Sequence, residues 1–378
     1  MTLPPDMWTT DPWEVVNDPQ IDVIVETIGG IEPARDLILA ALKSGKHVVT
    51  ANKELLSSLG RELMEAAEGA GVDLLFEAAV AGGIPIIRPL KESLAGDRVR
   101  RVMGIVNGTT NFILTRMSDT GATFAEALQE AESLGYAELD PTADIEGFDA
   151  AAKLSILASI AFNARVIAGD VFREGIARVS PSDISAAHDL GYEVKLLAVA
   201  EIDNGQVSAR VYPSMVPKTH PLASVREVFN AIFVEGERSG ELMFFGRGAG
   251  GGPTASAVVG DIVEIARNTV NGSKGIGCTC YHDRARIRPQ DETRVRYYVV
   301  LDVRDQPGVL AAVAGVFAKH GVSIASVRQE NSGGAATLAL ITHTGTEGAH
   351  QATFEDLGSL ESVQRISSRL RVEGTGEE

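Results

Sequence analysis

Hydrophobic residues in the first 80 positions alternate between two spacings. A short β-branched run occurs in IDVIVETIGG (21–30), and short apolar runs follow in HVVTANK (47–53) and VDLLFEAAV (72–80); each is typical of a buried strand. Between these runs, PARDLILAALKSGK (33–46) and ELLSSLGRELMEAAEGAG (54–71) carry apolar residues at helical spacing. Strands that alternate with helices pair in parallel through right-handed crossovers. The pattern therefore predicts an incomplete doubly wound, Rossmann-like α/β sheet.

Small residues and glycines stand where each of these predicted strands ends, in ETIGG, TANK and EAAVAGGIP. Ligands of open parallel sheets bind beyond the carboxyl ends of the strands. Each stretch taken alone also fits an ordinary tight turn. Three of them in succession favour a crevice in which a flat cofactor approaches the backbone.

The pattern changes in the middle of the chain. A strand leads into a loop and a helix in DRVRRVMGIVNGTTNFI, and helical spacing returns around 122–134 and 148–163. From about 175 to 250, strands alternate with short turns, and Asn204-Gly205 is a strong hairpin signal. This mixture predicts an α+β domain.

The tail has the order strand, helix, strand, strand, helix, strand. A turn at Pro307-Gly308 follows its first strand, and the last helix and strand are expected near 350–358 and 361–372. This βαββαβ order is the ferredoxin-like arrangement.

A length of 378 residues fits two or three domains at roughly 100–200 residues each. We expect the units to be the remaining part of a dinucleotide-binding domain at 1–75, with residues 253–272 packing back onto it, an α+β domain at 76–252, a polar linker at 273–295 and the ferredoxin-like domain at 296–378.

Charge and composition exclude several classes of protein. A formal net charge of −17 argues against nucleic acid as a partner, because phosphate binding needs a basic surface. No apolar run reaches the ~18 residues of a spanning helix, and MTLPPDMWTTDPWEVV is not a signal peptide. Cys278 and Cys280 make a poor zinc site and no disulfide framework. We therefore expect a cytoplasmic protein that binds neither nucleic acid nor membrane.

A carboxylate-rich stretch stands in front of one isolated lysine. Residues 131–153, AESLGYAELDPTADIEGFDAAAK, end at Lys153, and no Lys, Arg or His occurs from 117 to 152. In a helix, Asp149 and Lys153 lie four residues apart on one face, close enough to touch. An ammonium beside carboxylates keeps its charge and can donate a proton to an oxygen that becomes alkoxide-like.

Two interpretations of this stretch stay open on the pattern alone. It can be a solvated acidic loop with an ordinary surface ion pair. Alternatively, the apolar segment KLSILASIAF that Lys153 opens is too hydrophobic to lie exposed, which points the lysine into a cleft.

The same stretch resembles the signature of the homoserine dehydrogenases, A-x-x-x-G-Y-[small]-x-x-D-P-x-x-D-I-x-G-x-D-x-x-x-K. The matching positions are Ala131, Gly135, Tyr136, Ala137, Asp140, Pro141, Asp144, Ile145, Gly147, Asp149 and Lys153. The similarity spans the chain, since VETIGG, VTANK, EAAVAGGIP, NGTTNFIL and GAGGGPTASAVV also lie where that family has them. The tail resembles the ACT regulatory domain that some members carry.

The resemblance implies reduction of L-aspartate 4-semialdehyde to L-homoserine with NADPH or NADH, in the biosynthesis of threonine, methionine and isoleucine. It makes Lys153 the general acid that protonates the carbonyl oxygen. Glu138 would bind the α-ammonium group of the substrate, Asp149 would orient substrate and lysine, and Asp144 would support that arrangement. The α+β domain would then bind substrate and form the dimer contact.

The resemblance also implies a cofactor site and a monovalent-cation site. It places Lys53 between nicotinamide and substrate, whereas the pattern alone also fits a solvated lysine at the end of a strand. The other implied cofactor contacts are Thr27, Gly29, Gly135, Glu138 and Gly252. Sodium would be held mainly by backbone carbonyls of Glu77, Val80, Gly82 and Ile84, a run that equally fits a tight glycine turn.

A dinucleotide-binding domain usually opens with a strand and a G-x-G-x-x-G turn. GRGAGG (246–251) has that spelling but follows no βαβ opening. We therefore expect the first strand, its glycine loop and the segment that selects NAD or NADP to be absent, which would weaken pyrophosphate binding. A misassigned start codon, a truncation and a true loss of the half-site are the three explanations.

For the ACT-like tail, the resemblance implies L-threonine as a feedback inhibitor. Its site would lie near Asp305, Gly308, Val309 and Leu310, and the paired ACT domains would favour a homodimer or homotetramer. A purely dimerising tail is the alternative. For the whole chain, the alternative to the enzyme is a catalytically impaired fragment or a non-catalytic threonine-sensing protein.

Overall fold

The computed structural model describes residue 4 and residues 7–332 and 335–374. Its first unit is a parallel sheet with strand order β1-β2-β3, which confirms the predicted Rossmann-like arrangement. The elements of this unit are α1 (Pro12–Asn17), β1 (Val23–Glu26), α2 (Ala34–Lys43), β2 (His47–Thr50), α3 (Lys53–Ala70) and β3 (Leu74–Leu75).

Helices α2 and α3 of this unit form because each has one apolar face that it buries. Leu37 and Leu42 of α2 are buried, as are Leu55 and Leu63 of α3. Burying one such side chain stabilises the fold by about 1.5–3 kcal/mol. Helix α3 ends at Gly71, which adopts the left-handed conformation with φ 72°.

The middle domain combines helices with long antiparallel strands. Its elements are β4 (Val99–Ile105), α4 (Gly108–Thr120), α5 (Phe124–Ser133), α6 (Thr142–Ile145), α7 (Phe148–Phe162), β5 (Phe172–Arg173), α8 (Pro181–Asp189), β6 (Tyr192–Asp203), β7 (Gln206–Pro217), β8 (Phe229–Gly236), β9 (Gly240–Arg247) and α9 (Gly251–Val270). Asn204 and Gly205 join β6 to β7 with φ 50° and 74°, so the predicted hairpin is confirmed.

Helix α9 leaves the middle domain and packs against the first unit. Its Val258 and Ile265 bury against Val49 of β2 and Leu75 of β3. This contact brings the glycine-rich start of α9 toward the carboxyl edge of the parallel sheet.

The end of the chain forms the predicted βαββαβ unit, preceded by two short strands. Its elements are β10 (Arg286–Ile287), β11 (Arg294–Val295), β12 (Tyr297–Arg304), α10 (Val309–Lys319), β13 (Ile324–Ser332), β14 (Ala335–Thr342), β15 (Gly345–Thr346), α11 (Glu347–Gly358) and β16 (Val363–Val372). The strand order β13-β14-β12-β16 is that of a ferredoxin-like sheet.

This tail sheet continues into the sheet of the middle domain, which the hydrophobic pattern did not indicate. Strand β16 pairs in parallel with β7 through Arg371 opposite Ser214 and Val372 opposite Met215. The order of the joined sheet is β13-β14-β12-β16-β7-β6-β4-β8-β9. The predicted linker also takes part, since its β10 pairs with β7.

The structure bears on two expectations from composition, one about the two cysteines and one about a membrane-spanning helix. Cys278 and Cys280 are joined by one disulfide, and a single bridge is not a disulfide framework. The bridge spans a separation of two residues and therefore closes only a local loop. Across the described residues, no helix combines the length and apolar character needed to cross a membrane.

Candidate active site

The candidate active site lies where the parallel sheet meets the middle domain. Lys53 follows β2 as the first residue of α3, and Asn107 follows β4 as the N-cap of α4. Asp149 and Lys153 occupy the first two turns of α7. The site therefore faces the carboxyl edge of the parallel sheet, where doubly wound folds bind their ligands.

Asp149 is the centre of this cluster, and its side chain is only 7% exposed. Its Oδ2 accepts a hydrogen bond from Lys153 Nζ at 2.7 Å, and its Oδ1 lies 3.2 Å from Lys53 Nζ. Lys153 Nζ also donates to the carbonyl oxygen of Val106 at 2.8 Å. The structure thus brings Asp149 and Lys153 together as the helical spacing predicted, and a solvated surface pair does not describe them.

The charges of the cluster stabilise one another. Burial alone would raise the pKa of Asp149, but the charges of Lys153 and Lys53, and hydrogen bonds from Lys153 and Asn107, lower it to about 2. Burial would lower the pKa of Lys53, but the charge and hydrogen bond of Asp149, together with the charges of Glu54 and Asp144, outweigh it and leave the pKa raised. At neutral pH, Asp149 is therefore a carboxylate and Lys53 an ammonium.

Asn107 belongs to the cluster, although sequence reasoning assigned it no role. Its side-chain amide donates to Asp144 Oδ1 at 2.6 Å and to Asp149 Oδ2 at 2.8 Å. Its Oδ1 accepts from the N–H of Thr110 at 2.9 Å and so caps α4. The sequence NGTT indicates that Asn107 caps a helix, but it does not indicate that the side chain also contacts Asp144 and Asp149.

The acidic residues of the loop before α7 fall into two groups, those that reach the cluster around Asp149 and those that remain exposed. Asp144 reaches the cluster through the amide that it shares with Asp149. Glu138 is exposed and forms no hydrogen bond or ion pair with any residue in the described ranges. Gly135, close to Glu138 along the chain, is also exposed and adopts φ 73°. The loop is anchored by Thr109, whose Oγ1 donates to the carbonyl oxygen of Tyr136 at 2.7 Å.

A second buried carboxylate shapes the loop after β1. Glu26 is 3% exposed and accepts hydrogen bonds from the N–H groups of Ile28 at 2.7 Å and Gly29 at 2.9 Å. Thr50 Oγ1 donates to its other oxygen at 2.6 Å. Glu26 therefore holds the ends of β1 and β2 together, a role that sequence reasoning missed.

The loop that Glu26 holds fits a flat ligand. Thr27 is exposed, and a Cβ added to Gly29 would have no atom within 4 Å. The same open space surrounds Gly252 in the first turn of α9. Asn52 Nδ2 closes the far end of the loop by donating to the carbonyl oxygen of Gly30 at 2.7 Å. These residues leave room for a dinucleotide to approach the backbone.

The run predicted to bind sodium begins with a buried acid. The Glu77 carboxylate accepts hydrogen bonds from the N–H groups of Ile86, Ile87 and Arg88 at 2.6, 2.8 and 3.0 Å. Burial raises the pKa of Glu77, and these three donors only partly offset it. The carboxylate thus serves as an anchor for residues 86–88.

The other predicted cation ligands offer backbone oxygens. The carbonyl oxygens of Val80, Gly82 and Ile84 accept no hydrogen bond from the part of the chain that the structure describes. Gly82 has φ 40°, and a Cβ there would lie 2.6 Å from the carbonyl oxygen of Gly248. No group of three or more His, Cys, Asp or Glu side chains among the described residues could hold a metal. A cation here would depend on carbonyl oxygens.

The predicted effector turn lies between β12 and α10, away from the cluster around Asp149. Asp305 is exposed, Gly308 adopts φ 91° as the N-cap of α10, and Leu310 is 43% exposed. Val309 is buried in the core of the tail domain. The structure brings these four residues together in a single turn.

Comparison with known families divides the chain into three matching regions. Residues 2–77 match the family described as "Homoserine dehydrogenase, NAD binding domain", and residues 85–263 match "Homoserine dehydrogenase". Residues 297–361 match the ACT domain. The fold and these matches define an oxidoreductase that uses a nicotinamide cofactor and carries an ACT domain.

The chain is also similar in sequence to individual proteins of this class. The homoserine dehydrogenase of Mycobacterium bovis is 54% identical over 385 aligned positions, covering 99% of this chain and 87% of that protein. That of Corynebacterium glutamicum is 51% identical, covering 98% and 84%. The chain belongs to the homoserine dehydrogenase family.

Solved structures are similar over most of the chain. The crystal structure of a homoserine dehydrogenase from Thiobacillus denitrificans has a TM-score of 0.92 and 41% identity, covering 97% of this chain and 85% of that one. A hyperthermophilic archaeal homoserine dehydrogenase in complex with NADPH has a TM-score of 0.60 and 33% identity, covering 69% and 76%.

Proposed function

We propose that this chain catalyses the reduction of L-aspartate 4-semialdehyde to L-homoserine, within the biosynthesis of threonine, methionine and isoleucine. The observation that carries the proposal is the pair of amines that Asp149 holds at the carboxyl edge of the parallel sheet. In the described structure, Lys153 uses two of its three N–H donors, on Asp149 and on Val106. The third donor serves the substrate.

In this mechanism, the bound nicotinamide cofactor supplies the hydride. Lys153 protonates the carbonyl oxygen of the aldehyde, which removes the cost of forming a free alkoxide. Asp149 keeps the ammonium of Lys153 at the oxygen and holds Lys53 between the cofactor and the substrate.

The carboxylates hold the amino-acid end of the substrate. Glu138 binds the α-ammonium group, which its exposed and unpaired carboxylate supports. Asp149 orients the substrate against Lys153, and Asp144 supports Asp149 through the amide of Asn107.

The cofactor is NADP or NAD. The residues that hold it are Thr27, Gly29, Lys53, Gly135, Glu138 and Gly252. Support comes from the open space around Gly29 and Gly252 and from the NADPH complex of the archaeal relative.

A sodium ion binds at the carbonyl oxygens of Glu77, Val80, Gly82 and Ile84. The free carbonyl oxygens of three of these residues support the site. Replacing NaCl by choline chloride at equal ionic strength is expected to lower the Tm, because an ion bound only to the folded state stabilises it. An equal Tm in both salts would contradict the sodium site.

The ACT domain makes the enzyme responsive to L-threonine as a feedback inhibitor, and the chain acts as a homodimer or homotetramer in the cytoplasm. The effector binds near Asp305, Gly308, Val309 and Leu310. The match of residues 297–361 to the ACT domain supports this part of the proposal.

The decisive experiment measures homoserine-dependent reduction of NAD and of NADP by the wild-type chain, Lys153→Ala and Lys43→Ala. Lys43 is an exposed lysine in the last turn of α2 and serves as the control. Loss of the general acid is expected to lower kcat by about 10²–10⁴-fold in Lys153→Ala only. Circular dichroism establishes that each chain is folded.

Two results would contradict the proposal. Wild-type turnover in Lys153→Ala would remove Lys153 from the mechanism. A folded wild-type chain that binds threonine but reduces neither cofactor would point to a threonine-sensing protein without catalysis.

A further inference from the structure

The buried carboxylate of Glu26 has no cationic partner. It is 3% exposed and forms no ion pair with any Lys, Arg or His in the described ranges. A carboxylate in such a place is costly unless hydrogen bonds satisfy it. Three donors do so, the N–H groups of Ile28 and Gly29 on Oε1 and the hydroxyl of Thr50 on Oε2. The charge of Glu26 is therefore balanced by the loop that follows β1 and by the end of β2.

The hydrogen bonds of Glu26 fix the direction of two peptide groups. The N–H groups of Ile28 and Gly29 both point at the buried carboxylate. The peptide bonds that contain them are trans, so the N–H and the C=O of each planar unit point in opposite directions. The carbonyl oxygens of Thr27 and Ile28 therefore point away from Glu26.

The loop at residues 27–30 thus offers acceptors to a ligand. Thr27 and Ile28 are exposed, and their carbonyl oxygens accept no hydrogen bond from the residues that the structure describes. Loops that bind phosphate present N–H groups instead. Here a carboxylate occupies two of those N–H groups, and its negative charge disfavours an anion. The loop suits a ligand group that donates hydrogen bonds and carries no negative charge.

The far end of the same loop is tied to the active site. Asn52 Nδ2 donates to the carbonyl oxygen of Gly30 at 2.7 Å, and the N–H of Asn52 donates to Thr50 Oγ1 at 3.0 Å. Asn52 is also the N-cap of α3, whose first residue is Lys53. Lys53 in turn belongs to the cluster around Asp149. A ligand group held by the loop therefore has a fixed place relative to Lys53.

The nicotinamide end of the cofactor carries a group of the required kind. Its carboxamide has an NH₂ that donates two hydrogen bonds, and the ring bears no negative charge. The pyrophosphate, by contrast, is an anion and needs donors. The polarity of the loop therefore favours the carboxamide over the pyrophosphate.

We propose that Glu26 is a positioning residue for the cofactor. By holding the N–H groups of Ile28 and Gly29, it presents the carbonyl oxygens of Thr27 and Ile28 to the carboxamide of the nicotinamide. The inference rests on the cofactor site of the proposed function, but its test measures binding and does not depend on turnover.

The first test compares ligands on the wild-type chain. Isothermal titration calorimetry measures the Kd of NADP, of NAD and of their 3-acetylpyridine analogues, in which a methyl ketone replaces the carboxamide and removes its NH₂. For the natural cofactor that binds more tightly, the analogue is expected to bind about 3- to 10-fold more weakly, which is the worth of about one hydrogen bond. Equal affinities would overturn the inference.

The second test compares two substitutions of Glu26. Glu26→Leu removes every acceptor and releases the N–H groups of Ile28 and Gly29, so the preference for the natural cofactor is expected to fall to about twofold or less. Glu26→Gln keeps one oxygen for these N–H groups and can donate to Thr50 Oγ1, so the preference is expected to remain. Glu65→Leu removes an exposed carboxylate from α3 and is the control, which is expected to keep the full preference.

Circular dichroism establishes that each variant is folded. Should Glu26→Leu not fold, the comparison on the wild type still decides whether the loop binds the carboxamide. A folded Glu26→Leu chain that binds cofactor and analogue more weakly by the same factor would show that Glu26 only supports the fold, and would overturn the inference.

The binding tests also distinguish this inference from the proposed function. The expected preferences in a chain without homoserine-dependent reduction would uphold the role of Glu26 while the proposed function fails. Binding of neither NAD nor NADP would overturn the role of Glu26. Turnover with both cofactors and equal affinities for the analogues would uphold the enzyme and overturn the role of Glu26.

Discussion

The active site and the junction between the middle domain and the ACT domain both consist of buried charges, but they are balanced differently. At the active site, one carboxylate, Asp149, holds two amines, and the side chain of Lys53 remains 37% exposed. At the junction, Arg371 forms two hydrogen bonds to Glu347, and both side chains are at most 6% exposed. At Asp149, the positive charge of Lys53 is therefore partly exposed to solvent. At the junction, the charge of Arg371 is instead neutralised by a buried carboxylate.

A second buried carboxylate at the junction, that of Glu373, is also neutralised by its neighbours. Its carboxylate accepts hydrogen bonds from Arg101 and from the hydroxyl of Tyr212 at 2.9 Å, and Tyr212 in turn accepts one from Arg210 at 2.6 Å. Buried ion pairs add little net stability when complete, but they penalise any arrangement that separates them. We infer that the junction charges select one docking geometry, whereas the excess charge at Asp149 is available for the role proposed above.

The largest test of this comparison is Arg371→Leu. Removing the guanidinium leaves Glu347 buried without its charge partner, which costs about 3–5 kcal/mol. Urea unfolding measures the loss. Arg365→Leu, which removes an exposed partner of Asp302 from the same strand, is the control and is expected to cost about 1 kcal/mol or less. Equal losses would show that the junction is not a balanced network.

A smaller effect on the free energy of unfolding is expected when low pH protonates Asp149. Burial raises the pKa of Asp149, but its amine partners lower it to about 2, below the ~3.9 of an unfolded Asp. Its contribution to stability, about 2–3 kcal/mol, is therefore present above pH ~4 and lost as the pH falls toward 2. The unfolding free energies of wild type and Asp149→Asn are expected to converge over this window. A constant difference would contradict the ionic origin of the contribution.

The smallest effect on stability is expected for Asn107→Ala. Loss of the helix cap costs about 1 kcal/mol, and the loss of the shared amide is expected to lower kcat about tenfold or more, because Asp144 and Asp149 lose their common donor. Thr123→Ala removes the exposed cap of α5 and is the control. Both variants should lose similar stability, and only Asn107→Ala should lose turnover. Equal turnover would exclude a positioning role for Asn107.

Local geometry explains what could be predicted from the sequence. Asp149 and Lys153 could be paired because four helical positions return a side chain to the same face. The parallel sheet followed from the alternation of apolar spacings, and the hairpin followed from Asn204-Gly205, whose residues tolerate positive φ.

Contacts between distant positions could not be predicted in this way. Asn107 meets carboxylates 37 and 42 positions further along, and Glu77 anchors three amides that no local pattern marks. The pairing of β16 with β7 joins residues more than 150 positions apart. Such contacts depend on tertiary packing, which leaves no periodic trace in the residues concerned.

The shared ladder between β16 and β7 also affects how the protein can be shortened. Removing the tail would uncover the backbone of β7 near Ser214 and Met215, where Glu373 also donates its N–H to the carbonyl oxygen of Met215. Newly exposed strand edges recruit other chains and promote aggregation. The ACT domain is therefore a structural cover for its neighbour, and a tailless chain is expected to precipitate.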